Sequence, residues 1–185
     1  DLAGRMNGWG TAFVCEVDNV DVLVNQASDG GKLNWGDLST VGGVTFSAAL
    51  NDEVDLQASG DLALDAFGFV LTKGSFELYK GTVNGTSDGA GSNDITLTNG
   101  QALTLELTSI EVFVGVGGAF DTDPNVANYT LNTDNAIGFQ VTVASLKLAM
   151  VTQGATKYTG LEINDLAGNL IGLGTAFEFK VDNVD

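Results

Sequence analysis

The sequence predicts an all-β protein, an elongated β-sandwich or β-solenoid-like repeat unit built from many short antiparallel strands, some of them bent or bulged. Three observations carry this. Apolar and polar residues alternate with period two in run after run, the pattern of a half-buried strand. The runs are separated by Gly-, Asn-, Asp- and Ser-rich connections in a chain of 185 residues with 25 glycines and one proline. The chain also repeats itself over long and short distances.

The long repeat is plain to read. Residues 1–21 are DLAGRMNGWGTAFVCEVDNVD and residues 165–185 are DLAGNLIGLGTAFEFKVDNVD, with 14 identities in 21 ungapped positions. Residues 1–164 therefore read as one full repeat unit and residues 165–185 as the start of the next. In the first copy the motif continues into the strand-like Val22-Leu23-Val24-Asn25, whereas the second stops at Asp185. The chain is thus expected to be a window on a longer polypeptide, the alternative being a complete subunit with two similar ends.

The short repeat sets the strands. Phe13, Phe69, Leu103, Phe139 and Phe177 each open an alternating run, and seven residues later Val20, Phe76, Ile110, Leu146 and Val184 restart it. An odd offset swaps the buried parity, so one residue must be absorbed between the halves. Asp18-Asn19, Gly74-Ser75, Thr108-Ser109 and Ala144-Ser145 hold that place, which predicts either a tight hairpin or a bulged strand. Only one of the four has Gly there, which favours the bulge for some copies. Phe13, Phe69, Phe139 and Phe177 are expected to be buried equivalents.

Further strands are expected at Val44–Leu50, Val54–Ala58, Asp61–Asp65, Ile95–Thr98 and Tyr158–Ile163, making about a dozen in all. Ala27–Lys32, Asn84–Asp94 and Asp121–Asn135 read as connections. No helical period outlasts two turns, and Asn34–Thr40 is at most one.

Composition narrows the function. Acidic residues outnumber basic ones 24 to 7, for a net charge of −17, so the surface repels phosphate backbones and anionic membranes. No apolar run approaches the ~20 residues of a membrane span. Histidine is absent and Cys15 is the single cysteine, which removes Ser-His and Cys-His nucleophile pairs, multi-cysteine metal sites and intrachain disulfides. The expectation is a non-enzymatic protein without nucleic-acid partner or membrane insertion.

The runs VNQASDGGKLNW (Val24–Trp35), LDAFGFVLTKGSFEL (Leu64–Leu78) and VFVGVGG (Val112–Gly118), in a histidine-free acidic chain with a long period, resemble tandem repeats of very large bacterial surface or secreted proteins of the RTX-adhesin kind. The resemblance implies an extracellular or cell-surface location and neighbouring calcium-binding repeats. The GGxGxD nonapeptide series of those repeats is absent from this chain.

Candidate sites follow from residue type. Asp121, Asp123 and Asn125 place hard oxygens at alternate positions, as in a loop that wraps calcium, yet the Gly and distant Glu of an EF-hand are missing and the same residues are ordinary turn formers. Asn51-Asp52-Glu53 with Asp55, and Ser87-Asp88 with Asn93-Asp94, repeat the idea more faintly. Trp9, Trp35 and Tyr158 could form an aromatic platform for a sugar ligand, or serve as core and contact residues. Cys15 shares parity with Phe13 and Val17 and reads as a buried apolar residue. Trp9, Phe13, Phe177 and Phe179 are the expected assembly interface, since the second motif finds its partner only in a following unit.

The function expected is therefore a structural repeat of an extracellular surface protein or fibre, assembling head to tail with copies of itself through β-strand packing. The competing class is an adhesin or carbohydrate-binding module, with calcium as a stabiliser and specificity in Asn84–Asp94 or Asp121–Asn135.

Overall fold

In the computed structural model, which describes residues 2–8, 12–87, 94–173 and 180–184, the alternating runs form eleven strands and the only helical pieces are two single 3₁₀ turns. The strands are β1 (Leu2–Gly8), β2 (Phe13–Val24), β3 (Val54–Ala66), β4 (Val70–Ser87), β5 (Ile95–Val116), β6 (Ala119–Asp121), β7 (Thr130–Asn132), β8 (Ile137–Gln153), β9 (Thr156–Asn164), β10 (Leu166–Ile171) and β11 (Lys180–Val184). Nine of them make one antiparallel sheet in the order β1-β2-β3-β4-β5-β8-β10-β11, with β9 beside β8 above β10. The sheet is open and not closed into a barrel.

Strand length departs from expectation. In β2, β5 and β8 the two halves of the short repeat run on as one strand, up to the 22 residues of β5, because the parity change is absorbed within the strand and not by a hairpin. Between Asp18 and Asp21, β2 spends one residue more than β3 opposite, and Asn19 takes the left-handed conformation at φ 51°. Ser109 does the same in β5 at φ 52°, against Gly74 of β4. In β8 the parity changes at Ala144-Ser145, since Leu146 faces Leu107 while Val141 faces Val112. Asp165, φ 52°, makes the change between β9 and β10, which pair along the same partner strand. The bulged side of each line needs room opposite: a methyl at Gly60 would lie 3.0 Å from the Asp18 carbonyl oxygen, and one at Gly74 3.1 Å from that of Thr108.

Residues paired across strands share a face, so the register lays apolar rows across the sheet. Val22, Ala58, Leu78, Leu105, Leu148 and Leu161 form one row, and Cys15, Leu64, Thr72, Val112, Val141 and Gly168 another. In β3, which has no bulge between Ala58 and Leu64, the two rows are six residues apart and hence on one face. The bulges keep that face apolar past the parity change. A polar row, Asp18, Asp61, Ser75, Thr108, Ser145 and Asn164, crosses the sheet between them but on the opposite face, since Asp61 stands three residues from both Ala58 and Leu64; in it Ser75 donates to Asp61 at 2.6 Å and Asn164 to Ser145 at 2.9 Å.

The opposite face is covered over one half. The β6-β7 hairpin and the 3₁₀ turn Val126–Asn128 fold onto it, burying Leu71, Phe113 and Ala136 with Phe120, Leu131 and Ile171 at the margin, and Ala63, Val126 and Tyr129 beside them. Phe113 is fully buried in a cage of glycines: a methyl at Gly115, Gly118 or Gly138 would come within 2.8 Å of its ring. This half-layer is all there is of a second sheet among the described residues. The accessible surface, 11409 Å², exceeds the roughly 8,400 Å² of a compact 19.1 kDa monomer, as a sheet covered on part of one face requires.

Two local expectations are corrected. Val44–Leu50 is a loop with a single bridge, Val41 to Val44, tied down by Trp35, whose backbone N–H donates to Leu50 and whose ring packs 5.0 Å from Phe46. Phe69 is no equivalent of Phe13 and Phe139. It sits in the β3-β4 turn at 51% exposure, while Phe13 and Phe139 are half-buried within strands. The Phe69 repeat lacks a bulge in its own strand, so Leu71 faces the covered side and Phe76 the open one.

Candidate assembly edges and the cleft beside them

Over the pairs described in both, the two copies of the long motif share one register. Leu2 faces Val20 and Gly4 faces Val17, with the register shift between; 164 residues later Leu166 faces Val184 and Gly168 faces Val181, with the same shift. The hairpins differ in what lies outside them. The outer edge of β10 pairs with β8 (Ala167 with Thr142, Gly168 with Val141, Asn169 with Gln140, Leu170 with Phe139, Ile171 with Gly138), whereas the outer edge of β1 has no partner among the described residues. Conversely β2 is paired on its inner side with β3, and the corresponding side of β11 has no partner strand among the described residues. Each end of the sheet therefore presents the edge that the other end has filled.

Of the residues expected at the assembly interface, Phe13 is half-buried between Gly8 and Ala66, and Trp9, Phe177 and Phe179 lie outside the described residues. Cys15 is a free thiol between Met6 and Leu64; burial, then the Glu16 charge, push its pKa up, which makes it a poor nucleophile.

Beside β1 the half-layer leaves an open cleft of about 510 Å³, lined by Arg5, Glu16, Asp65, Phe120, Asp123 and Tyr129 among others. Glu16 organises it. One carboxylate oxygen pairs with Arg5 at 2.9 Å and the other accepts a short hydrogen bond from the Tyr129 hydroxyl. That bond, reinforced by burial, pushes the Tyr129 phenol up to about 12. The cluster joins β1, β2 and the half-layer, and at the second copy its first two members become Asn169 and Lys180.

The proposed calcium ligands are each engaged as hydrogen-bond acceptors. The Asp123 carboxylate accepts from the Asn125 backbone N–H at 3.0 Å and from the Asn128 side chain at 3.2 Å, which hold its pKa below the usual value. The Asn125 amide oxygen caps the 3₁₀ turn through the Ala127 N–H at 2.9 Å and accepts from Asn19 at 3.2 Å. Asp121 ends β6 with Asn132 at 3.4 Å. Among the described residues no three carboxylate or thiol groups are placed to hold a metal ion. Alternate Asp and Asn here are capping acceptors. Asn51 and Glu53 are likewise turn residues, the Asn51 side chain accepting from the Glu53 N–H at 3.0 Å, and Asp88 and Asn93 lie outside the described residues.

The aromatic platform does not assemble from Trp35 and Tyr158: the former belongs to the loop before β3, and the latter sits on β9 opposite Val151, beyond β4, β5 and β8 in the sheet. Trp35 instead donates its indole N–H to the fully buried Asn25, whose amide donates to the Leu33 and Asn51 carbonyls at 2.7 Å each. Neither this anchor nor the Arg5-Glu16-Tyr129 cluster follows from the strand pattern, since Asn25 and Trp35 meet through an irregular loop and Tyr129 reaches Glu16 across 113 residues.

No protein-family model matches the chain, and comparison with curated proteins and with solved structures finds no significant similarity.

Proposed function

We propose that the chain is a structural repeat of an extracellular surface protein or fibre, whose role is to extend one antiparallel sheet from unit to unit. The observation that supports this is the seating of β10-β11, a copy of β1-β2 in sequence and register, on β8. In a repeated chain each β1-β2 hairpin would sit on the β8 of the preceding unit and carry the next β3 on its far side. The rows of apolar residues then continue without a break, and no catalytic group is called for.

Geometry fixes the period. From β1 to β10 there are six strand steps, about 29 Å at ~4.8 Å each, with an accumulated twist of roughly 120–150°. The test is a two-unit chain, residues 1–164 followed directly by 1–185, examined by small-angle X-ray scattering. The scattering should fit a single rigid body about 29 Å wider across its strands than one unit; two freely jointed bodies would refute the reading.

A further inference from the structure

We propose that the seat on β8 filled by β10-β11 also accepts the β1-β2 hairpin of a second copy of the chain, so that separate molecules join end to end by hairpin exchange. The inference rests on the unit-to-unit continuity proposed above and extends it from covalently joined units to independent chains.

Two glycines carry the argument. At Gly168 a methyl would lie 3.1 Å from the Phe139 ring, which would have to give way, and at Gly172, φ +77°, it would overlap the Ala136 carbonyl oxygen, so the strand on β8 is crowded at the first place and closed to a side chain at the second. The first copy has Gly4 and Gly8 at the equivalent positions. In their own surroundings these glycines have no such need: a methyl at Gly4 would stand 3.6 Å from Val17 and one at Gly8 3.7 Å from Phe13, ordinary van der Waals contact. The requirement they meet is that of the β8 seat, which in this molecule is occupied by the other copy.

An incoming hairpin would place Ala3 opposite Thr142, Gly4 opposite Val141, Arg5 opposite Gln140 and Met6 opposite Phe139 of its neighbour, repeating the register of β10. The 2.9 Å Arg5-Glu16 ion pair lies within the hairpin and travels with it. One position favours the resident strand: Ile171 packs on the Leu71-Phe113-Ala136 cluster, and its counterpart is the polar Asn7. Exchange is therefore held back by the side chain at 171, and equalising the two strands there should release it.

The test uses the full chain. Ile171→Asn should associate end to end, by sedimentation velocity, at concentrations about tenfold or more below those the unaltered chain requires. Adding Gly8→Ala, harmless in its own hairpin but in collision with Ala136 of a neighbour, should return it to monomers with unchanged circular dichroism. A folded Ile171→Asn chain that stays monomeric, or association indifferent to Gly8→Ala, overturns the proposal. Should Ile171→Asn fail to fold, the decision passes to a chain with β10 intact, carrying Arg5→Cys and Gln140→Cys on a Cys15→Ala background. Those two positions stand five strand steps apart in one molecule, about 24 Å, so a disulfide between them must join two copies. A ladder of oxidised multimers suppressed by Gly8→Ala supports exchange, and its absence refutes it. If the two-unit chain grows as one body while no ladder forms, continuity stands and exchange falls; if neither is seen, both fall.

Discussion

Phe113 offers the sharpest test of how the half-layer is held. Its ring has no exposed surface and is enclosed by Leu71, Ala136 and the backbones of Gly115, Gly118 and Gly138. Truncation to Ala removes the whole ring from a site whose walls are largely backbone, which cannot relax inward as flexible side chains do. The cost should lie in the upper part of the range for such changes, about 4–5 kcal/mol, a large share of the 5–15 kcal/mol that holds a typical domain. In a chain of this size that corresponds to a fall in melting temperature of about 10–15 °C. Phe113→Leu, which loses about two methylene equivalents, should cost roughly 1–2 kcal/mol. Urea unfolding followed by circular dichroism measures both. A loss below about 1 kcal/mol for Phe113→Ala would refute the glycine cage as the anchor of the half-layer.

Three further outcomes are expected. Ser109, a non-glycine residue at φ 52° in the β5 bulge, should gain about 0.5–1 kcal/mol on replacement by Gly and lose stability on replacement by Val, by thermal melting. The Tyr129 phenol, raised by Glu16 to about 12, binds its proton more tightly folded than unfolded; its contribution is therefore complete below the unfolded pKa near 10 and is lost as pH rises from about 10 to about 12. Tyr129→Phe should flatten that part of the stability profile, measured as urea midpoints. Millimolar calcium should leave the melting temperature unchanged, and Asp121→Asn with Asp123→Asn should alter it little, because an amide oxygen can still accept from the Asn125 N–H.

The bulges were legible because they are arithmetic: an odd spacing between apolar runs leaves one residue over, and Asn19 and Ser109 are where it goes. The same arithmetic misled at Phe69, since nothing local says that Leu71 should turn to the other face and meet Phe113, 42 residues on. The matching ends were legible as identity, but not that β8 would be the strand between β5 and β10, a choice made by contacts far apart in the chain. The half-layer was hidden because its apolar residues, Phe120, Val126, Tyr129 and Leu131, follow no period amid turn formers. Asp123 and Asn125 read as calcium candidates because a capping acceptor and a calcium ligand use the same kind of oxygen; that these two accept from the Asn125 and Ala127 N–H groups depends on how the loop folds. The Glu16-Tyr129 bond spans 113 residues and leaves no trace in the sequence.

The central claim is that the open edge of β1 is an internal strand position of a longer sheet. Hydrogen exchange by mass spectrometry, comparing β1 of the single chain with β1 of the second unit in the two-unit chain, tests it most directly. In an antiparallel strand alternate amides point to each neighbour, so those of Ala3–Asn7 that face away from β2 should exchange rapidly in the single chain. In the second unit they should be protected to the level of β10, whose outer edge is paired with β8. Equal, rapid exchange of those amides in both settings would contradict the account.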